Sequence, residues 1–159
     1  MKLFLIALIM SIPVVSAAEV LSATDIEEAL APPVKSRGLV IEKKENRSVN
    51  LTINFELNSA EISADAIAQL GELAEALAKP RLSQVVFKVI GHTDSTGDAQ
   101  YNLRLSERRA KAVVYFLVQK YGLPRNRLFA SGEGEQRPLP GLDSADGRNR
   151  RVEVNGEDK

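Results

Sequence analysis

Between residues 49 and 56 apolar and polar side chains alternate, with Val49, Leu51, Ile53 and Phe55 set against Asn50, Thr52, Asn54 and Glu56. A period of two is that of a strand with one buried face. The period then changes: Ala66, Ile67, Leu70, Leu73, Ala74 and Leu77 recur at helical spacing and predict an amphipathic helix. Ser63 stands at its N-cap, Asp65 falls in its first turn, Ile62 and Ile67 occupy the positions of a hydrophobic staple, and Pro80 closes it. "QVVFKVI" is nearly apolar on both faces, as in a strand inside a sheet covered by helices. The stretch from Ala99 to Tyr121 predicts a second helix, with Ala110, Val113, Val114 and Leu117 toward the core and Gly122 just past its end. "RLFAS" is a short strand, "GEGEQRPLPGLDSADGRN" a long turn-rich loop, and "RVEVN" a last strand with Val152 and Val154 inward. The order β-α-β-α-β-β gives an α/β fold of the α+β sandwich type. Its two β-α-β units call for parallel neighbours and its last strand for an antiparallel one, in a mixed sheet with the helices packed on one side.

The chain ahead of this unit reads differently. Lys2, the apolar run "LFLIALIMSIPVV" and the small residues "SAA" form a secretory signal peptide over residues 1–17, with cleavage after Ala17 or after Ala18. The run is shorter than the ~20 residues that span a bilayer, and Pro13 interrupts it, so no transmembrane segment is expected in the mature chain. Residues 18–48 form a leader. Ser22 or Thr24 caps one or two helical turns that end at Pro32 and Pro33, and "GLVIEK" is a short strand. Ile26, Leu30, Val34, Leu39, Val40 and Ile41 make residues 19–48 richer in apolar side chains than a linker. They serve equally to pack on the chain's own domain or to dock another envelope protein. The domain proper covers 49–155, and 156–159 are a tail.

Composition narrows the chemistry. Twenty-one basic and twenty-one acidic residues leave no net basic field to gather nucleic acid. The absence of cysteine excludes disulfides, thiolate metal sites and a lipid-acceptor cysteine after the signal. His92 is the sole histidine, so a metal site with two histidines is impossible; its expected role is a hydrogen bond to backbone at a strand end. No cofactor and no metal is implied. Arg108 is expected in solvent or beside Glu107, and Gly132-Glu133-Gly134-Glu135 is expected to be a turn. Asp94 and Asp98 lack the apolar setting of a catalytic acid pair, and a hydrolase or amidase has neither nucleophile and base nor metal to work with.

One constellation remains. Asp94 lies in a glycine-bracketed loop, Gly91 to Gly97, at the carboxyl end of the second strand, where ligands collect in such folds. Arg109 lies about three turns into the helix that follows and doubles back along the strand. A carboxylate and a guanidinium sharing a cleft complement an amino-acid head group, ammonium to Asp94 and carboxylate to Arg109. The competing expectation for the same two residues is an intramolecular salt bridge that pins loop to helix. Asn102 can supply an amide to the ligand or brace the loop.

"GHTDSTGDAQYNLRLSERRAKAV" closely resembles the peptidoglycan-associating signature of the OmpA-like C-terminal domain family, with its TD, YN, LS and RA elements in register. The resemblance continues in "FELNSAEIS", "RLFASGEGEQRPL" and "GRNRRVEV" and covers roughly residues 49 to 155. It implies an OmpA-like fold and a periplasmic, non-catalytic protein that holds peptidoglycan through diaminopimelate of the stem peptide, anchoring itself or a partner to the wall, at the outer membrane if a partner tethers it there. The family's aspartate falls on Asp94 and its arginine on Arg109. Thr93, Asn102 and Leu105 match positions that shape the pocket, Arg150 matches an arginine near its rim, and Asn58 matches a position whose backbone lines the site. "DGRNRRV" is shorter than in many relatives, which leaves Arg150 the least constrained of the set.

Overall fold

The computed structural model describes residues 20–33, 47–53, 55 and 59–158. The signal peptide and the "GLVIEK" strand lie outside the described residues. Three helices, α1 (Ala23–Leu30), α2 (Ala64–Ala78) and α3 (Ala99–Tyr121), accompany four strands, β1 (Ser48–Leu51), β2 (Val85–His92), β3 (Leu128–Gly134) and β4 (Val152–Asp158). From β1 onward the expected β-α-β-α-β-β order holds.

The sheet runs β1-β4-β2-β3, with β4 antiparallel to both of its neighbours and β2 parallel to β3. One expectation is corrected. β1 and β2 are not neighbours, because β4 takes the slot between them. Burial accounts for this: Val152 and Val154 are fully covered, which suits an interior strand better than an edge. β4 also runs to Asp158, opposite Val85, so residues 156–158 are strand rather than tail. Alternation in β1 persists into Leu51 and Ile53, both buried, although ladder pairing stops at Leu51 and Phe55 only bridges Ile62.

One face of β2, with Val85, Phe87 and Val89, meets α2 and α3 in a single core that includes Leu70, Leu73, Leu77, Val113 and Leu117. Lys88, on the other face, is exposed, so the sheet is covered by helices on one side. The end of that outer face nearest the loops is nevertheless buried and polar. Here His92 Nε2 lies 3.1 Å from Glu153 Oε2, Arg137 reaches Glu153 from the long loop, and Arg151 Nε donates to Asn50 Oδ1 at 2.8 Å. The hydrogen bond from His92 leads the interactions that hold the Glu153 carboxyl at about 2, against the opposing effect of burial. His92 therefore pairs with a carboxylate through its ring, where a backbone bond was expected.

Ser22 caps α1, its hydroxyl accepting from Asp25 N, and the helix stops at Ala31 ahead of the two prolines. α1 packs on α2. Gln69 binds the Leu21 backbone through both ends of its amide, at 2.9 and 3.2 Å, and Glu72 accepts from Ala23 N at 2.7 Å. Ile26 and Leu30 are fully buried, so the apolar side of this part of the leader is spent on its own domain.

Candidate functional site

Two glycines let α3 lie directly on the β2–β3 pair. A Cβ at Gly91 would stand 2.1 Å from Ser106 O, and one at Gly132 would stand 2.4 Å from Glu107 N, both backbone atoms of α3. With its helix seated so closely, the Ser106 hydroxyl accepts from Gly134 N at 2.9 Å and donates to Leu103 O. Gly132, Glu133 and Gly134 are thus the end of β3, where a turn was expected, with glycine needed for close approach, and the turn starts only at Glu135.

α3 begins at Asp98, whose side chain accepts from Tyr101 N, and ends at Gly122 in the left-handed conformation, φ 68°. Asn102, Leu105 and Arg109 recur at helical spacing along its buried side. The loop leaving β2 is fixed at several points: Thr93 N donates to Gly134 O, Ser95 N donates to Ser144 O, and Thr96 N donates to Asp94 Oδ1 at 3.0 Å. Asn102 Nδ2 donates to Thr96 O at 3.1 Å and to Glu135 Oε2 at 2.8 Å, so its amide nitrogen braces the loop.

These elements enclose a cleft of about 450 Å³ lined by Thr93, Asp94, Asn102, Leu105, Arg109 and Arg150, together with Phe55 and Thr96. Six of the seven residues singled out in the sequence meet there. The seventh, Asn58, lies outside the described residues. Asp94 and Arg109 share the cleft without pairing. The carboxylate partner is Arg150, with Nη1 2.5 Å from Asp94 Oδ2. Arg109 instead sends Nε to Ser59 O at 3.0 Å and lays its guanidinium over the Phe55 ring, 4.9 Å from the centroid. Among the described residues it has no carboxylate within salt-bridge distance.

Electrostatics follow from this division. Burial pushes the Asp94 carboxyl up, but the hydrogen bonds from Arg150 and from the amide and hydroxyl of Thr96 outweigh it and hold the group below its ordinary value. Burial, and then the charge of Arg150, pull Arg109 down from its ordinary value; a guanidinium remains a cation all the same. The cleft therefore holds two cations against one carboxylate from these three residues. Thr93 Oγ1 is buried in its wall and lacks a partner among the described residues.

A sequence profile described as the OmpA family matches residues 54–151, well over half of the chain and the whole of this cleft. The chain belongs to the OmpA family. Among OmpA relatives, outer membrane porin F of Pseudomonas aeruginosa is 40% identical over 109 residues, which are 67% of this chain and 30% of the porin. Outer membrane protein A of Bordetella avium is 34% identical over 102 residues, 63% of this chain and 51% of that protein. The matched part of the chain thus spans about three-tenths of the porin and about half of the Bordetella protein. Among solved structures, the peptidoglycan-associated lipoprotein from Burkholderia pseudomallei superposes with a TM-score of 0.56 at 27% identity, covering 66% of this chain and 88% of the lipoprotein. The cell wall anchor of the type VI secretion system from Pseudomonas aeruginosa gives the same score and identity over 70% of this chain and 81% of that one.

Arg150 is the residue whose role the sequence left least defined, and the structure puts it against Asp94. Phe55 carries a second function that alternation alone did not reveal, as the platform under Arg109. Arg108 is exposed, as expected, with its guanidinium 5.9 Å from the centroid of the Tyr101 ring, while Glu107 pairs with Lys111.

Proposed function

We propose that this chain holds peptidoglycan without covalent attachment, gripping the distal ammonium and carboxylate of meso-diaminopimelate in the stem peptide. The observation that carries the reading is the state of Arg109. Its guanidinium is buried, stacked and tied by Nε, yet no described carboxylate neutralises it, and it faces the same cleft as Asp94. Desolvating a cation without a counter-ion is costly unless a ligand supplies the anion. Asp94 offers an acceptor for an ammonium, and Arg109 keeps the planar Nη pair suited to a carboxylate.

Membership of the OmpA family supports the reading, as do the likenesses to a peptidoglycan-associated lipoprotein and a cell wall anchor. Binding without catalysis is the natural use of the cleft. A general acid needs a carboxyl raised toward neutrality, and Asp94 is shifted the other way. Export by the signal over residues 1–17 would place the protein in the periplasm, beside its ligand.

Sedimentation with purified sacculi tests the proposal. The protein is expected in the pellet, and Asp94→Ala in the supernatant with its melting temperature nearly unchanged, since the lost ion pair has a half-exposed partner. Equal pelleting of both proteins would contradict the assignment of Asp94.

A further inference from the structure

Asp94 has two oxygens, and each already has a partner. Oδ1 accepts from Thr96 N, and Oδ2 is held by Arg150 at 2.5 Å. A carboxylate oxygen accepts more than one hydrogen bond, but an ammonium placed at Oδ2 stands against the Arg150 guanidinium, like charge to like, and competes with it for the carboxylate. The two partners differ in freedom: the Asp94 side chain is 11% exposed, whereas that of Arg150 is 56% exposed. Arg150 is the one able to move. Its guanidinium lies across the bare backbone of Gly147, where a Cβ would come within 2.7 Å of Nη2. It also borders a second hollow of about 200 Å³, shared with Arg109, Thr52 and Ile53. A swing from Asp94 toward Arg109 leaves it in the wall of the same site.

We propose that Arg150 determines specificity by an exchange of ion pairs. In the free protein it occupies Asp94. It releases that carboxylate only to a ligand that brings a carboxylate of its own beside its ammonium, because the guanidinium then trades one anion for another. A lone ammonium offers no such trade. Whether it shares Asp94 with Arg150 or displaces it, it leaves three cations, its own included, around one carboxylate. The gate therefore passes a zwitterionic centre and rejects a simple amine such as the side chain of a lysine residue. This inference rests on the diaminopimelate reading and adds a second layer of discrimination to the clamp at Arg109.

The test is calorimetric titration of the protein and of Arg150→Ala with two stem tetrapeptides ending in D-alanine, one with meso-diaminopimelate at the third position and one with lysine. In the lysine peptide the side chain presents only an ammonium. Arg150→Ala is expected to bind the lysine peptide about three- to fivefold more tightly than the unaltered protein, the value of a half-exposed ion pair that no longer has to be broken. Its preference for the diaminopimelate peptide over the lysine peptide should narrow correspondingly, since the guanidinium contact to the distal carboxylate is lost as well. Arg150→Lys, which keeps the charge on a somewhat shorter side chain, should restore part of the rejection of the lysine peptide. Tight binding of the diaminopimelate peptide with no gain for the lysine peptide in Arg150→Ala would overturn the gate while leaving the diaminopimelate reading intact. Failure of the unaltered protein to bind the diaminopimelate peptide would remove that reading and the gate with it.

Discussion

Arg109→Ala is expected to lose at least about thirtyfold in affinity for sacculi, corresponding to 2 to 5 kcal/mol for a charge-assisted contact whose ligand partner is left desolvated. Its cost to the fold should be much smaller. The described side chain gives the protein one hydrogen bond to Ser59 O and a stacked contact with Phe55, together worth about 1 to 2 kcal/mol. Were Arg109 instead half of a buried structural ion pair, its removal would cost roughly 3 to 5 kcal/mol through the charge left behind. Urea melts and sacculus sedimentation on the same variant separate the two cases. The described ion pair in the cleft joins Asp94 to Arg150, so an exchange of charges designed to preserve a salt bridge belongs at positions 94 and 150.

The second large effect concerns a residue that touches no ligand. Gly91→Ala places a methyl group 2.1 Å from Ser106 O and 2.9 Å from Ser106 C, so the backbone of α3 itself must move. Helix backbone in a packed core does not yield as a flexible side chain does. A destabilisation of at least about 3 kcal/mol is expected, at or above the upper end of ordinary overpacking. Any fraction that folds would hold α3 away from the β2 loop, separating Arg109 from Asp94. Gly71→Ala is the control. Its Cβ meets only the end of the Tyr121 side chain, at 3.2 Å, and alanine favours a helix interior by roughly 0.5 to 1 kcal/mol. Chemical denaturation should show Gly91→Ala strongly destabilised and Gly71→Ala neutral or stabilised; similar midpoints for the two would remove the close approach of α3 as the device that seats the site.

Much of this was legible in the chain because it depends on local pattern. The alternation from Val49, the helical recurrence from Ala66, and the Asp98 and Gly122 that bracket α3 are short-range signals, and the elements appear where these signals fall. The cleft was legible for a related reason. Asp94 leaves the end of β2, and Asn102 and Arg109 lie two helical turns apart on the helix that follows, so one connection carries most of the site. What was not legible depends on distant parts of the chain. Placement of β4 between β1 and β2 rests on the burial of Val152 and Val154 by elements far away in sequence. The capture of Asp94 by Arg150 spans 56 residues, and it requires the long loop to be fixed by Arg137, Asn149 and Arg151. No periodicity encodes such a contact. The same holds for α1, whose apolar residues could be seen but whose partner, α2 with Gln69 and Glu72, could not.

The central claim is that the cleft reads the two charges of one zwitterionic centre, and the most direct measurement changes only one of them. The protein is titrated calorimetrically with the stem tetrapeptide containing meso-diaminopimelate, then with the same peptide whose distal carboxyl is a carboxamide. Saturable one-to-one binding is predicted for the first and a loss of at least about thirtyfold for the second, because the amide gives Arg109 no anion. Equal affinity for the two peptides would contradict the account.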